Sequence, residues 1–196
     1  MTTIVYLHGF RSSPASEKAQ ALMRYVDGLP PARRPRMHVP ELDAGPREAV
    51  ASVASWVARH CDSPPTFVGS SLGGFYATHL AERFAARAVC INPAVHPYAE
   101  LAPYLGMQTN LYTGREFEVT HAHFDELRAL AVARIADASR YLLYLQSGDE
   151  VLDWRVGVER YGGAWLCVEG GGDHGFTGFE RHLPTILRFA EAGFGR

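Results

Sequence analysis

Gly69-Ser70-Ser71-Leu72-Gly73 is a G-x-S-x-G pattern lying between an apolar run and an amphipathic stretch. The spacing has a steric cause. A serine on a sharp strand-to-helix turn presents its hydroxyl, and small residues two before and two after it let strand and helix pass closely. Gly74 extends that tolerance into the helix. Centring the pattern on Ser70 would put Val68 and Leu72 at the glycine positions, so Ser71 is the candidate nucleophile. Such pentapeptides also recur by chance, and a Gly-rich turn ahead of a helix is the plain alternative. The strand–turn–helix context favours chemistry.

A serine hydroxyl is a weak nucleophile without a base. The chain has nine His. Position selects among them. Gly170-Gly171-Gly172-Asp173-His174-Gly175-Phe176 follows the last apolar run, and in open parallel sheets sites form at the carboxyl ends of strands. His174 therefore shares an edge with Ser71. His79 and His182 fall in predicted helices and read as packing or surface residues. His121 and His123 are too few for a metal site. An acid should also follow a strand, and Asp149, Glu150 and Asp153 follow the run Tyr141–Leu145. Asp173 adjoins His174 and reads as a loop cap. The order Ser, Asp, His is that of α/β-hydrolases. After the first apolar run, His8-Gly9-Phe10 can turn a backbone N–H toward a substrate oxygen, and Phe10 and Leu72 are the two expected oxyanion donors. His8 itself reads as structural.

These residues need a frame that brings strand ends together. Strands are predicted at Ile4–Leu7, Met37–Val39, Thr66–Val68, Ala88–Ile91, Tyr141–Leu145 and Ala164–Val168. Helices are predicted over Ala15–Val26, Arg47–Val57, Leu72–Phe84, Phe124–Ile135, Leu152–Tyr161 and Phe179–Ala190. Alternation of this kind predicts βαβ units, hence a three-layer α/β fold: a mostly parallel sheet of about six strands with helices on both faces. About fifty residues separate Ile91 from Tyr141, a connection long enough to carry a functional lid. The segment 93–120 is read as that lid, with Tyr98, Tyr104 and Phe117 as candidate substrate-binding residues beside Leu101 and Leu105.

Composition sets the outer bounds. The 196 residues fit one domain spanning 1–196 and can bury a core without staples. Hydrophobic residues are 47% and charged residues 20%, which excludes wholesale disorder. Nineteen Lys and Arg against 21 Asp and Glu give a net charge of −2, so no electrostatic footprint for nucleic acid or an anionic membrane is present. No apolar run reaches membrane-spanning length. Three cysteines with no close pair argue against disulfides and thiolate metal sites, and Cys90 and Cys167 lie in apolar runs expected to be buried. The absence of a signal-peptide pattern makes the cytoplasm the expected location.

Together, Tyr6-Leu7-His8-Gly9-Phe10-Arg11-Ser12-Ser13-Pro14, Gly69–Thr78, Ile91-Asn92-Pro93-Ala94, Gly148–Asp153 and Gly171–His174 resemble the YqiA/YcfP family of small bacterial esterases. The likeness spans nearly the whole chain. It implies a minimal α/β-hydrolase fold and hydrolysis of carboxylic esters or acyl thioesters by a serine esterase, with Ser71 as nucleophile, His174 as base and Asp149 as acid. Arg11 stands where the resemblance leads one to expect a small polar residue, often Asn. Such a mechanism calls for no metal or cofactor, and its partner is a small-molecule acyl ester or thioester. Two other readings stay open: a different acyl hydrolase (peptidase or C–C hydrolase) with the same triad, and a non-catalytic interaction protein on this fold.

Overall fold

A computed structural model describes residues 2–42 and 44–192. The strands are β1 (Thr3–Leu7), β2 (Arg36–His38), β3 (Thr66–Ser70), β4 (Arg87–Ile91), β5 (Gly106–Thr109), β6 (Glu116–Val119), β7 (Tyr141–Gln146) and β8 (Trp165–Glu169). The helices are α1 (Glu17–Asp27), α2 (Pro46–His60), α3 (Leu72–Phe84), α4 (Pro97–Glu100), α5 (His121–Leu130), α6 (Trp154–Arg160) and α7 (Leu183–Ala192). Six strands form one sheet in the order β2-β1-β3-β4-β7-β8, and every pairing in it is parallel. β5 and β6 pair antiparallel outside it.

Side chains alternate across each strand and so feed two apolar layers. Val5, Leu7, Phe67, Cys90, Leu143 and Leu145 enter one layer, where α2 and α3 pack through Val50, Val53, Phe75 and Leu80. Ile4, Tyr6, Val68, Ile91, Leu142 and Tyr144 enter the other, covered by α1 and α7 through Leu22, Val26, Ile186 and Phe189. The central strands β3 and β4 are apolar on both faces because both are covered. Burying one such Leu or Phe stabilises the fold by about 1.5–3 kcal/mol, so these layers fix the strand ends firmly.

β8 closes one edge with a single covered face. Trp165 and Cys167 pack inward, while Leu166 and Val168 are exposed. Cys167 is thus only half-buried, not the fully buried thiol that its apolar run suggests. Cys90 is buried, and burial pushes its thiol up to about 12.

Two elements depart from the periodicity. The helix expected over Phe124–Ile135 is displaced: α5 begins at His121 and ends at Leu130. Thr120 caps its start, with the His123 ring accepting from the Thr120 N–H, a reciprocal box that the sequence does not advertise. Beyond Leu130 the carbonyls of Val132 and Ala133 accept from the Arg160 guanidinium, a stronger partner than another helical turn offers. The long connection after β4 also contains the β5–β6 hairpin, which no strand prediction included. Among the described residues, no helix is long and apolar enough to cross a membrane.

Candidate active site

The turn between β3 and α3 is built by close approach. A Cβ on Gly69 would collide with the Gly73 carbonyl, and a Cβ on Gly73 would collide with the Leu7 carbonyl at the end of β1. Only hydrogens fit there, so strand and helix meet closely enough to bend the chain sharply. Ser71 sits at the apex with φ 54°, a region that non-glycine residues avoid at a cost of about 1–3 kcal/mol. Backbone bonds hold it in place. Its N–H donates to the Ile91 carbonyl at 3.0 Å, and its carbonyl accepts from Gly74 at 2.9 Å and Ala94 at 3.0 Å.

Three strand ends bring their side chains to this apex. The Ser71 Oγ lies 3.0 Å from His174 Nε2. The His174 Nδ1 lies 2.9 and 3.0 Å from the two oxygens of Asp149. Asp149 has a side chain only 2% exposed, and its Oδ1 also accepts from the Val151 and Leu152 N–H groups at 2.9 Å each. The other two carboxylates do different work. Glu150 accepts from the His174 backbone N–H at 3.0 Å, and Asp153 accepts from Arg155 N–H to cap α6. Asp173 accepts from Thr177 Oγ1 within its own loop.

Phe10 and Leu72 lie at the mouth of the same turn, and their N–H groups serve no other acceptor among the described residues. Leu72 opens α3, where the helix end favours negative charge. Gly9 keeps the first loop close: a Cβ there would stand 3.3 Å from the Ser71 Cβ. His8 is buried beneath, its Nδ1 3.0 Å from the Gly9 carbonyl and its Nε2 accepting from Leu42 N–H at 3.2 Å. Burial lowers its pKa.

Two buried side chains tie the His174 loop down: Gln146 lies in no motif, and Asn92 lies in the segment Ile91–Ala94, to which the sequence assigns no role. The Asn92 amide donates to the Asp173 and His174 carbonyls at 3.0 and 3.3 Å, and its oxygen accepts from Gln146 N–H. The Gln146 amide donates to Thr177 O and Glu169 and accepts from Asp173 N–H. Asn92 follows β4 and Gln146 is the last residue of β7, so the edge rule that selects His174 could have found them. Arg181 and His182 complete the brace on Glu169, and the Arg181 hydrogen bond holds that carboxyl well below its usual range, at about 2. Cys167, Glu169 and His182 bring three ligand-type atoms within 4.8 Å of one another, but Arg181 already occupies the carboxylate.

Space opens on both sides of Ser71. One cavity of about 200 Å³ is lined by Ala94, Pro97, Leu101, Tyr104, Leu111 and Leu152, with Glu100 at its wall. Burial raises the Glu100 pKa. The other, of about 290 Å³, is more mixed: Ser12, Ser16, Lys18 and Ser70 line it together with Tyr6, Phe10 and Leu111. Of the aromatic residues expected to meet substrate, Tyr104 reaches the first cavity. Phe117 lies behind the loop instead, lining a smaller cavity with His8 and Tyr76, and Tyr98 lines a separate one beside Phe75 and Tyr161. The Tyr104 and Phe117 rings both meet the Phe10 ring edge-on, at 5.4 and 5.8 Å. His79 and His123 are occupied structurally: His79 Nδ1 lies 2.8 Å from Leu130 O, and His123 caps α5.

A six-stranded parallel sheet covered on both faces, with a serine on a tight β3–α3 turn, defines the α/β-hydrolase fold. Solved structures agree. The chain is similar to alpha/beta hydrolase domain-containing protein 10 from mouse, with a TM-score of 0.73 and 16% identity over 96% of this chain and 89% of that one. It is similar to the esterase domain of a Rhodothermus marinus protein, with a TM-score of 0.70 and 14% identity over 99% and 88%. The uncharacterised protein family UPF0227 matches residues 3–191, and the chain belongs to it. A UPF0227 protein of Shewanella sp. (strain MR-4) is 26% identical over 95% of this chain and 98% of its own length.

Proposed function

We propose that the chain is a serine esterase that cleaves carboxylic esters or acyl thioesters through an acyl-enzyme on Ser71. The observation that carries this reading is the unbroken line from Ser71 Oγ to His174 Nε2 and from His174 Nδ1 to the buried Asp149. In this reading His174 takes the Ser71 proton as Oγ attacks the carbonyl carbon. The Phe10 and Leu72 N–H groups hold the oxyanion, each worth roughly 3–4 kcal/mol at the transition state. His174 then gives its proton to the leaving alcohol or thiol, the C–O or C–S bond breaks, and the acyl group stays on Ser71. Water, deprotonated by His174, attacks next and releases the acid while Oγ regains its proton. Asp149 fixes the tautomer that leaves Nε2 free to accept.

The two cavities divide the substrate. The apolar one takes an uncharged acyl group, and the more mixed one takes the leaving group. Residues 93–120 form the cap over the acyl side. An extended peptide would need partners for its N–H and C=O groups, which apolar walls do not supply. A fluorophosphonate probe tests the reading, because only an activated serine is labelled. Labelling should vanish in Ser71→Ala, and nitrophenyl esters should turn over faster than the matching amides. An unlabelled wild type, or faster amides, would overturn it.

A further inference from the structure

The loop that carries Phe10 is gripped from the far side of the chain. Arg11 has φ 56°, an uncommon value for a residue with a Cβ. Three hydrogen bonds cross from this loop to the tip of the β5–β6 hairpin. Arg11 Nε donates to Thr109 O at 3.0 Å, Leu111 N–H donates to Arg11 O at 2.8 Å, and the Asn110 amide donates to Ser12 O at 2.7 Å. Asn110 is the pivot. Its side-chain oxygen also accepts from Tyr112 and Thr113 N–H at 2.9 and 3.0 Å, which shapes the turn. Its own N–H donates to Arg115 O across the hairpin. The bonds therefore hold the two residues that follow Phe10, whose N–H is one of the two proposed to hold the oxyanion.

We propose that Arg11 and Asn110 are positioning residues that lock the Phe10 N–H to the hairpin, so that the oxyanion site is complete only while the hairpin is docked. The proposal rests on the esterase reading for the role of the Phe10 N–H. The physical need is plain. A loop held at positive φ relaxes when its outside partners go, and misplacing a reacting group by about 1 Å can cost on the order of 100-fold in rate. The Phe10 ring packs edge-on against Tyr104 and Phe117, and the His8 ring holds the Gly9 carbonyl of the peptide that carries the Phe10 N–H. The hydrogen bonds to Arg11 and Ser12 hold the chain on the far side of Phe10, so that the residue is fixed from both ends.

Two substitutions separate the clamp from the fold of the hairpin. Asn110→Asp keeps the oxygen that shapes the turn but removes the amide donor to Ser12 O. Arg11→Asn removes the guanidinium from Thr109 O, and Asn tolerates positive φ. Each variant should lower kcat by roughly 10-fold with KM within about twofold, the pattern of an interaction made only in the transition state. Affinity for a boronic acid that mimics the tetrahedral intermediate should fall by the same factor. Amide hydrogen exchange at residues 9–13 should rise in both variants, while Tm and exchange in β3 and α3 stay unchanged. Unaltered exchange at 9–13 overturns the clamp. Raised exchange with unchanged kcat and boronate affinity overturns its positioning role. Failure of the wild type to label at Ser71 would strike the esterase reading instead, and the exchange measurement would still decide whether the clamp exists.

Discussion

Ser71 and Asp149 leave strands that are buried on both faces and His174 leaves the edge strand beside them, whereas Tyr104, Asn110 and Phe117 belong to a hairpin region exposed at every second residue. In the first region each functional side chain is over-determined. Ser71 is held at three backbone bonds, Asp149 at two N–H groups and the His174 loop by Asn92 and Gln146. In the second region Val119 reaches the core, and the turn of the hairpin is anchored by the grip on Arg11 and Ser12 and by the ring contacts with Phe10. The difference teaches where strain can be stored. Positive φ at Ser71 is paid by a packed core, and positive φ at Arg11 by a few surface hydrogen bonds. In the proposed mechanism the chemistry falls on the rigid region, and the adaptable one shapes what enters.

The largest expected effect breaks the rigid side. Ser71→Ala should lower esterase turnover by on the order of 10⁶, the scale of losing a triad nucleophile. Tm should hold, because alanine fits the same turn. Near-normal turnover with Ser70→Ala inactive would move the nucleophile to its neighbour. The next effect sharpens the same side. Asp149→Asn should cost about 10⁴ in kcat, since an amide beside Nδ1 favours the wrong tautomer. Glu150→Gln should cost far less, because an amide oxygen still accepts from His174 N–H. Asp153→Ala should leave kcat alone and lower stability by about 1 kcal/mol through the lost cap of α6. A larger activity loss from Glu150→Gln or Asp153→Ala than from Asp149→Asn would overturn the assignment of the acid.

The same contrast explains what the sequence discloses. The parallel sheet is legible because its central strands are short, apolar and bounded by turn residues, as in Thr66–Gly69 and Tyr141–Leu145. The turn at Ser71 is legible because glycines at 69 and 73 are a steric requirement that spacing exposes. The hairpin is hidden because Gly106-Met107-Gln108-Thr109 and Glu116-Phe117-Glu118-Val119 are four-residue strands with little apolar content. Their pairing rests on Asn110 and on a distant loop, which no local pattern encodes. Asn92 and Gln146 escape for a related reason: their partners lie about 80 and 27 residues away. The apolar residues of 93–120 are visible, but not which of them face Ser71. Tyr104 does, while Phe117 packs behind Phe10.

A smaller effect probes the adaptable side. Each methylene taken from water is worth about 0.8 kcal/mol, or roughly fourfold in kcat/KM. Across nitrophenyl esters from acetyl to palmitoyl, kcat/KM should rise with acyl length and then level off once the cavity beside Leu101 is full. Leu101→Ala should flatten the rise without changing Ser71 labelling. Leu101 is the better probe, since Tyr104 also packs on the Phe10 ring. No dependence on acyl length would remove the cavity from the substrate path.

The smallest effect lies where the two regions meet, at His8. Its Nε2 accepts from Leu42 N–H, so Nδ1 carries the proton toward Gly9 O and the ring is neutral. Burial lowers its pKa from the ordinary 6.5. The unfolded chain therefore binds the proton more readily than the folded one. Stability is fully present above pH 6.5, declines as pH falls below it, and is lost once the folded ring titrates. Protonation puts a hydrogen on Nε2, which can then no longer accept from Leu42, at a cost of roughly 1 kcal/mol for the bond. His8→Gln offers an amide donor and acceptor that do not titrate. Below pH 6.5 the Tm of the wild type should fall faster than that of His8→Gln, with the other titrating groups common to both. Because Gly9 and Phe10 follow directly, kcat should fall over the same range more steeply in the wild type. Parallel Tm curves for the two proteins would show that His8 stays neutral or that its charge is harmless, and the link between its ring and the oxyanion loop would go.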